Sequence, residues 1–518
     1  MTLTYPVIFP FHGSYNNGMG NRFYKTATVV TGLSIAERML GFLYRMVLAR
    51  MVGAEGLGVY QVALSVYSVF LTISGGGIPV TISRLISKSK AENDPHGEHK
   101  AVSAGALLAL ALCLPVIFLF LVTGDLFAFL FTDENGIEVF RVLLVGLIFC
   151  SLYGAIRAWF WGQKKFLTSS IFGIIEESVT VIAGVLLLKN ASGTIDSAKS
   201  AAWANVLSHI VVFACALFWF FHKKGRLVSP KGAMKPLISS TAPITAVRTG
   251  GSLVSSAVAV LLPIMLVRAG MQESEALQTF GVISGMVMPA MFIVATVIGS
   301  FSLVLVPELS EDYYGKNFER LKRNIDRGLT AASLVACILM PFFFVLGEDV
   351  GLIAYSSKEA GEMIVKSCPV LLPMSLAMIS TSILNSMGFE KQTFRFYFIG
   401  AAALLLCICL LPSLIGGYAY IVGMGVSYAI CAVCNLVFLF KKVLPVGRKF
   451  GFFRKTLISV GLILPISFVG QTFAKLFSRY FGEVLASVLI ALFMALVTIG
   501  FYFALKIVTK DSAKKALR

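Results

Sequence analysis

Long polar segments are what this sequence most clearly lacks. Only 14% of its 518 residues are charged while 57% are hydrophobic, and the longest polar stretch is the roughly 15 residues at 87–101. A soluble chain of this length would form about two to four domains joined by polar linkers. The mean hydropathy of +0.85 is too high for such domains. A soluble protein is therefore excluded, and lipid must be the main solvent.

Motifs of soluble enzymes are also missing. There is no Walker A motif, no G-x-G-x-x-G opening a βαβ unit, no G-x-S-x-G and no H-E-x-x-H. The five histidines lie mostly at loops or helix ends, where we expect solvation. The nine cysteines lie in or beside apolar runs, and Cys431 and Cys434 are interpreted as helix-packing residues. We therefore expect no enzyme activity, cofactor, metal site or disulfide framework.

Apolar runs long enough to cross a bilayer recur along the whole chain. A spanning helix needs about 20 mainly apolar residues. Fourteen segments qualify, near 27–50, 58–83, 101–123, 138–161, 168–188, 199–221, 238–267, 277–306, 328–347, 361–386, 394–412, 418–440, 454–474 and 482–508. The sequence predicts an all-α polytopic membrane protein with about 14 transmembrane helices.

Charge alternates between successive loops. The formal charge of +18 arises from Lys and Arg clusters between the apolar runs, which argues against nucleic-acid binding. Basic clusters follow the second, fourth, sixth, eighth and twelfth helices, whereas the loops after the third and ninth are acidic. By the positive-inside rule the basic loops face the cytoplasm, so both termini are predicted to be cytoplasmic in a bacterial plasma membrane.

A weak internal repeat predicts two lobes. The junctions GQKKFLT (162–168) and GFEKQT (388–393) each close a fourth helix and open a fifth. We therefore predict two pseudo-symmetric six-helix lobes, as in transporters with a central cavity. The predicted regions are a cytoplasmic tail (1–25), an N-lobe (26–222), a basic cytoplasmic linker (223–237), a C-lobe (238–441), and helices 13 and 14 with a basic tail (442–518).

Arginines lie inside the predicted membrane helices. An ionisable side chain near the bilayer centre costs roughly 2.5–3.5 kcal/mol on the insertion scale, so it indicates a functional site. Arg38 and Arg45 are seven residues apart, hence on one face of helix 1 and about 10 Å apart along its axis. Structural pairing of Glu37 with either arginine is the alternative to ligand binding.

Other arginines make a cationic cavity the simpler interpretation. Arg84 ends helix 2 and Arg248 lies early in helix 7, and a single carboxylate cannot neutralise this charge. Arginine binds phosphate bidentately and stays charged, so such a cavity suits a diphosphate better than a cationic drug. Arg84 lies close enough to a helix end for its guanidinium to reach the interface instead.

Helix 5 carries adjacent carboxylates, Glu176 and Glu177, within an apolar segment. At least one must face the protein interior. It either binds a coupling cation or proton, or forms an ion pair with Arg157 on the preceding helix, which is the preferred interpretation.

Glycine and proline mark predicted hinges. Gly76, Gly77 and Pro79 interrupt helix 2, while Pro263 and Pro289 lie in helices 7 and 8. Helices that line an alternately opening cavity tolerate such residues, although ordinary transmembrane helices contain them too.

Several of these motifs occur together in one known family. The runs RMLGFLYRMVLAR (38–50), GAEGLGVY (53–60), GGIPVTISR (76–84), the helix 4 exit 157–164, FGVISGM (280–286) and VPELS (306–310) follow in order. The chain resembles the oligosaccharide flippase branch of the multidrug/oligosaccharidyl-lipid/polysaccharide exporter superfamily, closest to the lipid II flippase and stage V sporulation protein B group. The resemblance spans residues from about 25 to 510.

The resemblance implies two six-helix lobes around a cationic cavity that opens to each side in turn. It places Arg38, Arg45 and Arg84 against the diphosphate or sugar headgroup, and the polyprenyl tail in a groove of helices 13 and 14. Helix 8 lacks an internal charge here, and Thr180 stands where some relatives keep a basic residue. The cavity is thus expected to be less cationic.

Three functions follow from these observations. The leading hypothesis is a flippase for lipid II or a similar undecaprenyl-diphosphate glycan, with membrane lipid and a coupling cation or the membrane potential as further partners. The second is a cation-coupled multidrug exporter, which requires acidic residues such as Glu176 and Glu177. The third is a membrane scaffold or glycosyltransferase, and the latter normally needs a large carboxylate-bearing loop that the sequence lacks.

Overall fold

The computed structural model describes residues 17–94, 96–123, 128, 130–131, 134–443, 451–480 and 482–504. Every regular element in these ranges is helical. The α-helices are α1 (Asn17–Gly75), α2 (Ile78–Ala91), α3 (Gly97–Val122), α4 (Glu134–Gly162), α5 (Phe166–Leu188), α6 (Thr194–His222), α7 (Met234–Arg268), α8 (Glu273–Gly281), α9 (Met288–Tyr314), α10 (Phe318–Tyr355), α11 (Lys358–Ser367), α12 (Leu371–Ser386), α13 (Glu390–Leu410), α14 (Pro412–Ile415), α15 (Tyr418–Phe438), α16 (Gly451–Gly461), α17 (Ile463–Tyr480) and α18 (Glu483–Ala504).

The membrane-spanning segments agree with the predicted fold class. Twelve helical segments among the described residues are long and apolar enough to cross a membrane. The first, Gly32–Lys90, has 59 residues and would extend about 90 Å, so it holds two crossings of a core about 30 Å thick. The shorter apolar segment Leu485–Thr498 in α18 completes the predicted fourteen. The all-α polytopic prediction is therefore confirmed.

Two glycine positions divide that first long segment. Gly53 has φ 76° and ψ 169°, a conformation that L side chains rarely adopt, so the helix axis kinks there. The predicted loop at 51–57 is otherwise helical, so only this one residue departs from helix geometry. A second interruption at residues 76–77 separates α1 from α2, where the sequence predicted a broken helix.

Some sequence predictions fall outside the described residues. Residues 1–16 of the predicted N-terminal tail are among them, and the rest of that tail already belongs to α1, which begins at Asn17. Residues 444–450, in the basic segment before helix 13, and residues 505–518 of the basic C-terminal tail also lie outside the described ranges.

Packing divides the described chain into two units. Unit 1 contains the residues up to Val267 together with Met271–Gly281, and unit 2 contains Arg268–Gly270 and the residues from Val282 onward. Most of α7 thus packs with unit 1, although the sequence predicted the N-lobe to end at residue 222. The predicted lobes are defined by repeated topology, and that division remains a prediction.

The core of unit 1 joins α2, α4 and α6. Trp159 lies edge-on to Phe220, with ring centroids 5.0 Å apart. Ile78, Ile82 and Ile86 recur every fourth residue on α2 and are almost completely buried in the same cluster. This spacing assigns one face of α2 to the core and leaves the opposite face for polar side chains.

In unit 2 the C-terminal helices dock on α10. The backbone N–H of Phe452, at the start of α16, donates to Asp326 Oδ1 at 2.9 Å. Ser487 of α18 donates to Asp349 Oδ2 at 2.8 Å. Between these polar contacts, Leu346, Ile466 and Met494 share an apolar cluster. The predicted helices 13 and 14 therefore contact α10 near its start, at Asp326, and near its end, at Asp349.

Backbone contact joins α1 to α8 within unit 1. A Cβ added to Gly58 would overlap the carbonyl of Leu277, and one added to Gly281 would overlap the carbonyl of Ala54. Small residues permit such close approach between membrane helices, where packing rather than the hydrophobic effect drives association.

Gly58→Ala is expected to destabilise the protein, because the added methyl group must push α8 away from α1. We expect a loss of about 1–3 kcal/mol, seen as a fall of about 1–3 °C in the melting temperature in detergent. Gly299→Ala in α9 is the matched control, since a Cβ there meets no atom within 4 Å. Equal melting temperatures for the two variants would contradict the proposed contact.

Candidate functional site

The close contact between α1 and α5 organises the charged side chains of unit 1. A Cβ added to Gly173 on α5 would lie 2.7 Å from Glu37 Oε2, so the Glu37 carboxylate lies directly on that glycine. In the opposite direction, Gly41 of α1 faces the Glu177 carboxylate, 3.4 Å from an added Cβ. The absence of a side chain at each glycine thus leaves space for a carboxylate between the two helices.

A tyrosine continues this contact along the same pair of helices. A Cβ added to Gly184 would lie 2.6 Å from the Tyr44 ring and hydroxyl. Glu37, Gly41 and Tyr44 are spaced by four and three residues, which places them on one face of α1. This face of α1 packs against α5.

Arg38 and Arg45 each follow a residue of that face by one position, so they point about 100° away from it. Arg38 is exposed and Arg45 is half-buried. Neither forms a contact ion pair with a described residue. Arg38 interacts electrostatically with Glu37, and Arg45 with Glu177. The structure therefore brings the predicted arginines and carboxylates close together without direct pairing.

Glu176 points toward α6, away from its neighbour Glu177. Its Oε1 lies 3.5 Å from His209 Nε2, and His209 is only 6% exposed. His209 Nδ1 faces Gly146 of α4, at 3.3 Å from a Cβ added there. The expectation of solvation does not hold for His209. Its position in the middle of an apolar helical run was the signal that indicated burial.

Arg157 contacts α5 through a serine. Its Nε donates to Ser169 Oγ at 3.1 Å, and its guanidinium lies over the Trp161 ring, 5.2 Å from the ring centroid. Arg157 interacts with Glu37 and Glu176 electrostatically but forms no contact ion pair with Glu176 or Glu177. The preferred interpretation, an Arg157 ion pair, is therefore replaced by the Glu176–His209 pair.

Arg84 lies on the exposed face of α2. The buried isoleucines of that helix occupy the other face, so Arg84 points away from the core of unit 1. No described residue forms a contact ion pair with it.

The glycine break between α1 and α2 is held by α7. Gly77 N–H donates to Thr245 Oγ1 at 3.1 Å, and Arg248 Nη1 donates to the Gly76 carbonyl. Pro79 is the second residue of α2, where the missing N–H removes no helical hydrogen bond. The break lies where the sequence predicted it. Bending at this break remains a prediction.

The two predicted proline hinges differ in their surroundings. Pro263 lies inside α7, and Pro289 lies in the first turn of α9, directly after a π-helical stretch, Val282–Val287. A wider helical turn beside a proline is a common place for a helix to bend.

The charged side chains of unit 1 differ in exposure. Arg38, Arg84 and Arg248 are exposed, whereas Glu37, Glu176 and Glu177 are partly buried between α1, α5 and α6. Arg45 and Arg157 are also partly buried. Within the described residues no group of three or more His, Cys, Asp or Glu side chains has the arrangement of a metal site. The arginines can bind an anion, and the carboxylates can exchange a proton or cation.

The Glu176–His209 contact predicts a measurable energetic coupling. We expect Glu176→Gln and His209→Ala each to lower stability, and the double variant to lose about 0.5–3 kcal/mol less than the sum. Thermal unfolding in detergent measures this. The matched control replaces Glu176→Gln with Glu177→Gln, because Glu177 lacks the contact. Additive losses in the Glu176 cycle would contradict the pair.

Comparison with known proteins agrees with the predicted resemblance. The sequence profile of the family described as "Polysaccharide biosynthesis protein" matches residues 23–312. Stage V sporulation protein B of Bacillus subtilis (strain 168) is 22% identical over 478 residues, covering 88% of this chain and 90% of the relative. The lipid II flippase MurJ of the same organism is 22% identical over 415 residues, covering 73% and 74%.

The fold also matches a solved structure. The lipid II flippase MurJ in an inward closed conformation superposes with a TM-score of 0.72 at 14% sequence identity, covering 93% of this chain and 100% of that chain. The family match spans more than half of the chain and includes the arginines and carboxylates of unit 1 described above. The chain, a multi-pass membrane protein, therefore belongs to the polysaccharide biosynthesis protein family.

Proposed function

We propose that this protein is a flippase that moves lipid II, or a related undecaprenyl-diphosphate-linked glycan, from the cytoplasmic to the outer leaflet by alternating access. The product serves peptidoglycan, spore-cortex or polysaccharide synthesis. The names of the two curated relatives support this class of substrate, because one is a lipid II flippase and the other a sporulation protein.

The observation that carries the proposal is the arginine pair on α1. Arg38 and Arg45 lie in a membrane-spanning segment, yet neither has a contact ion pair among the described residues. Intramembrane arginines normally pair with a carboxylate or mark a substrate path. Here the neighbouring Glu37 and Glu177 carboxylates lie against glycines of the facing helix. The guanidiniums therefore keep their donors for a ligand.

A diphosphate suits these side chains. Each guanidinium offers several N–H donors in a planar fork that matches phosphate oxygens, and it remains charged throughout the physiological pH range. We assign Arg38 and Arg45 to the diphosphate or the sugar next to it, with Arg84 and Arg248 as further contacts. Glu37 lies beside Arg38 and accepts hydrogen bonds from sugar or peptide groups in this assignment.

The driving force follows from charge. In this proposal both termini lie in the cytoplasm of a bacterial cell, and the anionic headgroup moves outward. An inside-negative membrane potential favours this step by about 2.3 kcal/mol per charge per 100 mV. Glu176 and Glu177 are the candidate site for a coupling cation or proton. No catalytic step is required, so we propose a transporter rather than an enzyme.

Removal of either α1 arginine is expected to slow transport strongly. Loss of one charge-assisted contact weakens binding by about 1.5–3 kcal/mol, which is about 10–150-fold. In liposomes that contain fluorescent lipid II, Arg38→Ala and Arg45→Ala should slow headgroup exposure on the opposite leaflet at least tenfold. Arg38→Lys and Arg45→Lys should retain part of the rate.

Arg226→Ala is the control, because that arginine lies in the basic linker and only its backbone N–H makes a described contact, with His99 Nδ1. Unchanged exposure rates in both alanine variants, with the proteins folded, would exclude an arginine-lined substrate site on α1. Wild-type liposomes no faster than empty ones would exclude lipid II and turn attention to other undecaprenyl glycans.

A cation-coupled multidrug exporter is the second candidate. The observation that favours it is the carboxylate group of unit 1, since Glu37, Glu176 and Glu177 interact with one another electrostatically. Carboxylates of this kind suit a cationic drug or its exchange for a proton.

If the protein exports cationic drugs, cells that express it should extrude a cationic dye, and Glu177→Gln should reduce that efflux at least fivefold. Arg45→Ala should leave efflux unchanged or raise it, because a positive charge near the site repels the dye. The flippase proposal predicts no dye efflux in any of these strains.

A further inference from the structure

The break between α1 and α2 exposes backbone polar groups at a position inside a membrane-spanning segment. Helix ends lack intrahelical partners for their last carbonyls and first N–H groups. Irregular backbone at membrane depth persists only where protein or a water-filled cavity satisfies those groups. Gly76 and Gly77 form this irregular segment between Gly75 and Ile78.

Helix α7 supplies partners for both sides of the break. Thr245 Oγ1 accepts from the Gly77 N–H, and Arg248 Nη1 donates to the Gly76 carbonyl. The two side chains are three residues apart on α7, so they lie on one face. The helices are in close contact here, because a Cβ on Gly77 would lie 2.7 Å from the Thr241 carbonyl.

The two contacts differ in how easily a ligand can replace them. Thr245 is partly buried and neutral, whereas Arg248 is exposed and charged. Its bond to Gly76 uses one donor of a five-donor guanidinium, and the acceptor is a neutral carbonyl. An anionic phosphate adds Coulomb attraction and a bidentate geometry that this carbonyl does not offer. An anion close to Arg248 therefore competes well against the carbonyl.

We propose that Arg248 is a positioning residue that latches the α1–α2 break to α7 through the Gly76 carbonyl and releases it when a diphosphate binds its guanidinium. This inference rests on the proposed function. It changes the role of Arg248 from a simple substrate contact to a link between substrate charge and the glycine hinge.

Release of the carbonyl frees the break to change conformation. Gly76 and Gly77 have no side chains, so they accept backbone angles that other residues avoid. While Arg248 and Thr245 both hold the segment, this freedom is suppressed. Once the guanidinium turns to the diphosphate, Thr245 is the one described hydrogen-bond partner from α7 that remains, and α2 can bend relative to α1. Substrate arrival is in this way connected to helix movement.

Hydrogen–deuterium exchange of peptides that cover residues 72–82 tests the latch in the purified full-length protein. The variants are Arg248→Lys, which keeps a charged donor, and Arg248→Met, which keeps the side-chain length but loses donor and charge. Without ligand, Arg248→Met should exchange at least threefold faster than wild type in this segment, and Arg248→Lys should stay close to wild type. Arg226→Met is the control and should match wild type.

The second arm adds farnesyl diphosphate as the probe, with farnesol as the uncharged control. The diphosphate should raise exchange of the segment at least threefold in wild type and in Arg248→Lys. It should cause no further rise in Arg248→Met, and farnesol should change none of the proteins. Thr245→Val should raise exchange without ligand and keep the response to the diphosphate, which tests the latch independently of any Arg248 variant.

Equal exchange of wild type and Arg248→Met without ligand would overturn the latch whatever the substrate is. A diphosphate that binds, as shown by a thermal shift, but leaves the exchange of residues 72–82 unchanged would overturn it as well. Neither result affects the proposed function, which is decided by lipid II transport in liposomes. Conversely, a failure to transport lipid II would exclude the proposed substrate. The exchange of wild type and Arg248→Met without ligand would still decide whether Arg248 holds the break.

Discussion

The close approach of α1 to α5 is the constraint on which the charge arrangement of unit 1 depends. Glycines on both helices make room for large side chains of the other, so Glu37 lies on Gly173, Tyr44 on Gly184 and Glu177 on Gly41. In lipid, helices associate through such packing because there is no hydrophobic gain from bringing apolar surfaces together. Once this face of α1 is fixed, the residues that follow Glu37 and Tyr44 must point elsewhere. Arg38 and Arg45 are those residues.

The proposed function depends on the absence of contact ion pairs between these carboxylates and the arginines of α1 among the described residues. Had Glu37 and Glu177 turned toward the arginines, unit 1 would contain neutral ion pairs inside the membrane and no site for an anion. Packing of the carboxylates against glycines, with Glu176 beside His209, keeps them a short distance from the guanidiniums. The Glu177 carboxylate lowers the cost of the positive charge on half-buried Arg45 without using up its donors. This arrangement supports the proposed diphosphate site and places a protonatable group near it.

Glycine has a second role at the interruptions of the long N-terminal helices. Gly53 adopts a backbone conformation that other residues avoid, and residues 76–77 leave polar backbone groups that α7 satisfies. In both places the chain departs from helix geometry inside or beside a membrane span. The difference is that the second break depends on side chains from another helix, one of which carries a charge. Such a break can respond to a ligand in the way proposed for Arg248, whereas the kink at Gly53 is set locally by φ.

The sequence by itself determined that lipid is the main solvent, that the fold is all-α and which segments cross the membrane. The reason is that apolar run length and loop charge follow directly from the thickness and polarity of a bilayer. It also identified Arg38, Arg45, Glu176 and Glu177 as unusual, since a charge in an apolar run stands out without any structure. Only the tertiary structure decided their partners. Helical periodicity assigns a residue to a face but does not say which helix that face meets, so the pairing of Glu176 with His209, rather than Arg157, was not accessible. The Arg248 contact with Gly76 could not be predicted for the same reason, because it joins two segments about 170 residues apart in the chain.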